Sequence, residues 1–171
     1  HIESHWNSAN CNLMKGNFKA GWLGYEWRWL DKDFDSEPLI TNKPAWDFKK
    51  TNQRLLVWAE QGVGDQVSFG NLLSELSEDV PNLLVQIDKR LVPIFTRSLP
   101  KIKFFPDNLI LPESDYDMHV PMGSLGKYLR NNEQDCEVSR YGFLKDDRAN
   151  TLEIKKELMA LAPLNNKICG I

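Results

Sequence analysis

Gly62, Gly64 and Asp65 stand within four positions of one another, after the apolar run "RLLVWAE" (54–60) and before "QVSFGNLLSELSE" (66–78). Glycines at the end of a strand permit close approach or positive φ. The N–H groups of a helix that starts there attract anions. A carboxylate in the same place has two possible uses. Asp65 either caps the helix through the N–H of Val67 or Ser68, or serves as general base toward an attacking hydroxyl. Two nucleotide motifs fail on these residues. The phosphate loop requires Gly-Lys-Ser/Thr after four intervening residues. The dinucleotide fingerprint fails at its third glycine, where Val67 stands, although Asp88 closes the next apolar run where a ribose-binding acid would sit.

The elements that must position these residues follow from periodicity. Residues 54–60 and "LLVQID" (83–88) are short continuous apolar runs, suited to strands buried on both faces. "KIKFFP" (101–106) and "DYDMHVP" (115–121) supply two further strands. Between them, 66–78 carries Val67, Leu72, Leu73 and Leu76 near helical spacing, and "KRLVPIFTRSLP" (89–100) reads as a helix with Pro93 tolerated near its start. "MGSLGKYL" reads as a helix from near Ser124. Residues 151–162 read as another, capped by Thr151 and ended by Pro163. Strand and helix in alternation predict an α/β domain with a Rossmann-like parallel sheet flanked by helices over 54–167.

Upstream, Trp6, Ala9 and Leu13 share one helical face over 2–15, and Phe18, Trp22, Tyr25 and Trp29 share one over 18–30. Gly16 and Asn17 separate the two, giving a helical hairpin over 1–30. Trp27 falls off the stripe, so the second helix is expected to pack on two sides. The spacing of Ala9, Gly16, Phe18, Gly21 and Tyr25 also resembles a tetratricopeptide repeat, the last of a longer array. Residues 31–53 hold Pro38, Pro44 and several Asp and Asn around Phe34, Trp46 and Phe48, a linker packed along the next domain.

The net charge of -3, from 21 basic and 24 acidic side chains, implies no field for nucleic acid. No apolar run approaches the ~20 residues of a membrane helix, so no transmembrane segment is expected. Cys11, Cys136 and Cys169 are odd in number and too widely spaced for a metal knuckle or a disulfide framework, which points to a cytoplasmic location. Asp115 and Asp117 flank Tyr116 in an Asp-x-Asp spacing, but at a strand start, so no metal site is expected. The chain lacks an initiator Met, and Ile168, Cys169 and Ile171 read as the first residues of a missing second domain (168–171).

"GYEWRW" (24–29), "LLVWAEQGVGDQVSF" (55–69) and "DYDMHVPMGSL" (115–125) together resemble bacterial tetratricopeptide-repeat proteins with a C-terminal glycosyltransferase-like region, of the GT-B, heptosyltransferase-like kind. The resemblance implies the last repeat followed by the acceptor-side half of a two-domain glycosyltransferase. It implies Asp65 as the base, Gln61, Gly62 and Gly64 shaping the acceptor loop, and His119 facing the same cleft. Gly123 and Ser124 would offer N–H groups or a hydroxyl, while Met122 packs. The acceptor would be a glycan or a protein hydroxyl, and upstream repeats would offer a protein partner. The nucleotide-sugar donor belongs to the absent half, so this piece binds no cofactor and is expected to be inactive alone. The competing expectation is a non-catalytic interaction or scaffold module.

Overall fold

The computed structural model describes residues 1–136 and 142–161. The expectations for Pro163, Ile168, Cys169 and Ile171 lie outside these residues. Four parallel strands, β1 (Leu55–Trp58), β2 (Leu83–Ile87), β3 (Lys103–Pro106) and β4 (Met118–Pro121), form one sheet in the order β3-β2-β1-β4. Helices flank it, so the chain carries a parallel α/β domain. β1 pairs Val57 with Val85 on one side and Val120 on the other. The period of two in a strand puts these residues on one face with Leu55, Leu83 and Ile87.

That face is packed against α4 (Leu73–Asp79) and α5 (Val92–Ser98) through Leu73, Leu76 and Phe95, which are fully buried. Pro93 sits in the first turn of α5, where its missing N–H costs nothing. The expected single helix over 66–78 is instead two. α3 (Val63–Gly70) ends where Gly70 lies under the Phe95 ring, and α4 begins after a short turn. A Cβ on Gly70 would stand 2.5 Å from that ring, so the close helix crossing needs the glycine.

The N-terminal helices α1 (Ile2–Met14) and α2 (Phe18–Tyr25) form a hairpin through Gly16, whose φ is +79°. The second helix does not run to Leu30. From Glu26 to Leu30 the chain tightens into a 3₁₀ turn, which rolls Arg28 inward until it is fully buried. Trp27 stays outside, stacked on His5 at 4.3 Å. Trp22 lies on Gly126 at the start of α6 (Gly126–Leu129), and Tyr25 faces Phe69 of α3. The two-sided packing expected from the off-stripe tryptophan is therefore present, with α1 on one side and the α/β domain on the other.

Residues 31–53 pack against the α/β domain. Trp46 is buried in the core, and Ala45 forms a bridge beside His119 on the outer edge of β4. The last helix, α7 (Arg148–Leu161), starts three residues earlier than expected. Its cap is Asp147, whose Oδ1 accepts the N–H groups of Ala149 and Asn150, and not Thr151, which falls inside the first turn.

Two glycines give opposite expectations. A Cβ at Gly126 would meet the Trp22 ring at 2.4 Å, whereas one at Gly64 would meet nothing within 4 Å. Gly126→Ala is expected to cost about 1–3 kcal/mol by overpacking. Gly64→Ala, in helical backbone, is expected to gain up to ~1 kcal/mol. Urea unfolding followed by tryptophan fluorescence measures both.

Candidate functional site at the switch point of the sheet

From β1 the chain steps outward to β2 and β3, then returns to the far side of β1 as β4. The crevice between the carboxyl ends of β1 and β4 is thus the topological switch point, where open α/β sheets bind ligands. Residues 59–62 and the 3₁₀ turn Met122–Ser124 form its two sides. Gly62, Gly64, Asp65, Gly123 and Ser124 are all near this end of the sheet.

The crevice is filled from within by Arg28. Its Nε donates to Glu60 Oε1 at 2.8 Å, and its second terminal nitrogen contacts the same oxygen at 2.7 Å. The remaining N–H groups donate to Tyr25 O (3.1 Å), Glu26 Oε1 (3.0 Å) and Ser124 Oγ (3.0 Å). Ser124 Oγ in turn donates to Glu26 Oε1 at 2.7 Å. Three aromatic rings, Tyr25, Trp29 and Phe34, surround the guanidinium at 4.6–5.9 Å from its central carbon. Each of the three sequence blocks that carry the family resemblance supplies one side of this cluster: Arg28, Glu60 and Ser124.

Glu60 is held at a cost. Its side chain is inaccessible to solvent and its Oε2 has no hydrogen-bond partner among the described residues. Burial pushes its pKa up to about 7, against the opposing pull of Arg28. Gly123 is packed directly on this carboxylate, and a Cβ there would lie 2.2 Å from Oε1. Gly123 and Ser124 are therefore committed to the cluster.

The turn after β1 is built differently from the expectation. Neither Gly62 nor Gly64 has a positive φ; Gln61 does, at +64°. That conformation is uncommon for a side chain with a Cβ. Three bonds hold it: Gln61 N–H to Ser36 Oγ (2.9 Å), Tyr25 O–H to Gln61 Oε1 (3.1 Å), and Gln66 Nε2 to Gln61 O (3.2 Å). Gly62 and Asp65 make a cap in one direction. Gly62 has no side chain to accept the Asp65 N–H, but Asp65 Oδ2 accepts the Gly62 N–H at 3.2 Å. The cap thus reaches back to Gly62, not forward to Val67 or Ser68. Asp65 remains exposed in the first turn of α3, and its Oδ1 has no hydrogen bond among the described residues.

His119 belongs elsewhere. It sits opposite Leu56 in the sheet register, two positions short of the carboxyl end of β4, and its Nδ1 accepts the Trp58 indole N–H at 3.1 Å. Burial lowers its pKa, and the accepting Nδ1 places the proton of the neutral ring on Nε2. No hydrogen bond joins it to Asp65. Asp115 lies in a 3₁₀ turn and Asp117 pairs with Arg54 at 2.7 Å. No group of three His, Cys, Asp or Glu suited to a metal ion occurs among the described residues. No helix among them is long and apolar enough to cross a membrane.

The fold and this site define a parallel α/β domain joined to a helical hairpin by a buried ion pair. No protein-family model matches the chain, and no solved structure matches it. Among curated proteins it is similar to Protein FlbA of Caulobacter vibrioides, 27% identical over 171 aligned positions that cover 91% of this chain and 29% of that protein. The chain thus spans less than a third of the length of the relative it matches.

Arg28 and Glu60 escaped the sequence reading, although a signal was present. Arg28 lies among "EWRW" aromatics and Glu60 directly follows an apolar strand, and charged residues in such settings are rarely buried unless paired. Arg28→Ala strands the Glu60 carboxylate and is expected to cost about 3–5 kcal/mol. The pH dependence has a definite sign. With its pKa raised above the unfolded value, Glu60 favours folding below about pH 4.5, and that contribution is lost as pH rises to about 7. Glu60→Gln should flatten the stability profile across that window, as measured by denaturant midpoints at stepped pH.

Proposed function

We propose that the chain is the acceptor-side half of a two-domain, GT-B-like glycosyltransferase, preceded by the last of several tetratricopeptide-like repeats. The observation that carries this reading is the position of Asp65. Its carboxylate is exposed at the carboxyl end of β1, with one oxygen committed to Gly62 and the other free. A bound acceptor, a glycan or a protein hydroxyl, would lose its proton to that free oxygen as its own oxygen bonds to the anomeric carbon. The bond from that carbon to the nucleoside diphosphate breaks at the same time, and its electron pair leaves with the diphosphate. The nucleotide-sugar donor is assigned to the second half of the parent protein, and the location to the cytoplasm.

One observation favours a second reading, a non-catalytic interaction module. Arg28 occupies the switch-point crevice that a ligand would need. Catalysis on the first reading therefore takes place outside the crevice, over the first turn of α3.

The test uses the full-length parent with a panel of nucleotide sugars, comparing wild type with Asp65→Asn. The amide keeps an oxygen for the Gly62 N–H, so stability should change by less than ~1 kcal/mol. Turnover should fall about 100-fold or more. Equal turnover by both forms removes the base. No turnover of any donor by the wild type supports the interaction module.

A further inference from the structure

The two faces of the sheet are covered unequally. The connections β1–β2 and β2–β3 carry α3, α4 and α5, which lie on the Val57–Val85 face. The β3–β4 connection, 107–117, contains only the 3₁₀ turn Glu113–Asp115. It crosses the opposite face without a helix to fill it. A cleft of about 610 Å3 remains there, floored by Leu56, Trp58 and Gln86. This is within the size range of ligand clefts. Its walls are two extended segments, Pro38 to Ile40 and Leu109 to Pro112. One end is tied shut where Glu113 Oε1 accepts Thr41 Oγ1–H (2.8 Å) and the Asn42 N–H (2.6 Å).

Three properties of the cleft point to the same kind of occupant. Ile40 and Ile110, on opposite walls, are 98% and 93% exposed, so the rims offer apolar surface that nothing in the described chain covers. Leu39, Ile40, Ile110 and Leu111 have no backbone hydrogen bonds among the described residues, which leaves both walls open to an extended chain. Among the described residues the charged lining is all acidic: Glu37, Asp107 and Glu113, with no Lys, Arg or His. Glu37 and Asp107 form no ion pair among the described residues. The neighbouring Arg90 is held by Asp88 at 2.7 Å and Arg54 by Asp117 at 2.7 Å, while Lys43 stands near Glu113 from outside the lining. Phosphates, nucleotides and anionic lipid surfaces are repelled by this lining.

We propose that this cleft docks an extended peptide segment that carries apolar side chains and at least one lysine or arginine. The apolar side chains cover the two isoleucine rims, the peptide backbone pairs with the open walls, and the basic group lies between Glu37 and Asp107. The proposal does not rest on sugar transfer: Ala59 is the one residue of the crevice walls that also lines the cleft, and neither Asp65 nor Arg28, Glu60 and Ser124 line it.

Fluorescence anisotropy of a labelled six-residue peptide of alternating Lys and Leu tests it, with an alternating Glu and Leu peptide as comparison. The intact chain should bind the Lys-Leu peptide at least tenfold more tightly than the Glu-Leu one. Glu37→Gln/Asp107→Asn should weaken the Lys-Leu peptide by about tenfold, the effect of removing two exposed charge pairs. Ile40→Ser/Ile110→Ser should weaken it by a similar factor without altering charge. Asp31→Asn/Asp33→Asn, acidic positions outside the cleft, should change it less than twofold. Equal affinity for the two peptides overturns the proposal. So does an unchanged affinity in either cleft variant, or an equal loss in the Asp31/Asp33 variant. Binding to phosphatidylserine vesicles in place of the Lys-Leu peptide overturns it as well.

Discussion

The arrangement depends on one buried ion pair, Arg28 with Glu60. A guanidinium removed from water is tolerable only when its donors are satisfied, and here all three nitrogens find acceptors from residues 25, 26, 60 and 124. Those acceptors come from the hairpin, the end of β1 and the turn after β4. The pair therefore fixes how three separate parts of the chain meet. Its energetic value lies less in net attraction than in the cost of breaking it, because either partner left alone would be a charge without solvent. Glu60 already carries part of that cost, with an Oε2 unpartnered among the described residues and a pKa displaced upward.

The same pair determines what the switch point can do. In an unobstructed sheet this crevice is open, and the glycines beside it read as ligand contacts. Here Gly123 makes room for a carboxylate of the protein itself, and Gln61 takes the strained φ that a glycine would have taken freely. The residues that remain outward-facing are Asp65 and the bare first turn of α3. Strain at Gln61 is sustained by bonds to Ser36, Tyr25 and Gln66 from three different segments, so the turn is held by its surroundings rather than by its own preference.

Much of the fold was legible in the sequence because burial on both faces leaves a continuous apolar run. Leu55–Trp58 and Leu83–Ile87 fall inside the expected strands for that reason. Helix ends were less legible. Thr151 looked like a cap, but Asp147 offered its oxygen one turn earlier; both residue types cap well, and local sequence does not rank them. The 3₁₀ turn at Glu26–Leu30 was hidden because the aromatic stripe continues through it, and only the partner of Arg28, 32 residues away, explains the tightening. At the candidate site the residues near the carboxyl ends were found from their types. Their partners were not, because pairings such as 28 with 124 are set by topology alone.

The separation of those partners also orders the events of folding. The α1–α2 hairpin makes local contacts and requires nothing downstream to form them. Arg28, however, draws two of its acceptors, Glu60 and Ser124, from positions 32 and 96 residues further along the chain. Until β4 has crossed over to lie beside β1, Ser124 is not in place beside Glu60, and the guanidinium lacks its full set of acceptors. Contacts of such long sequence separation repay their loop-closure cost only late. Docking of the hairpin is thus a closing step, in which the last water leaves a charged side chain only after the sheet is already built.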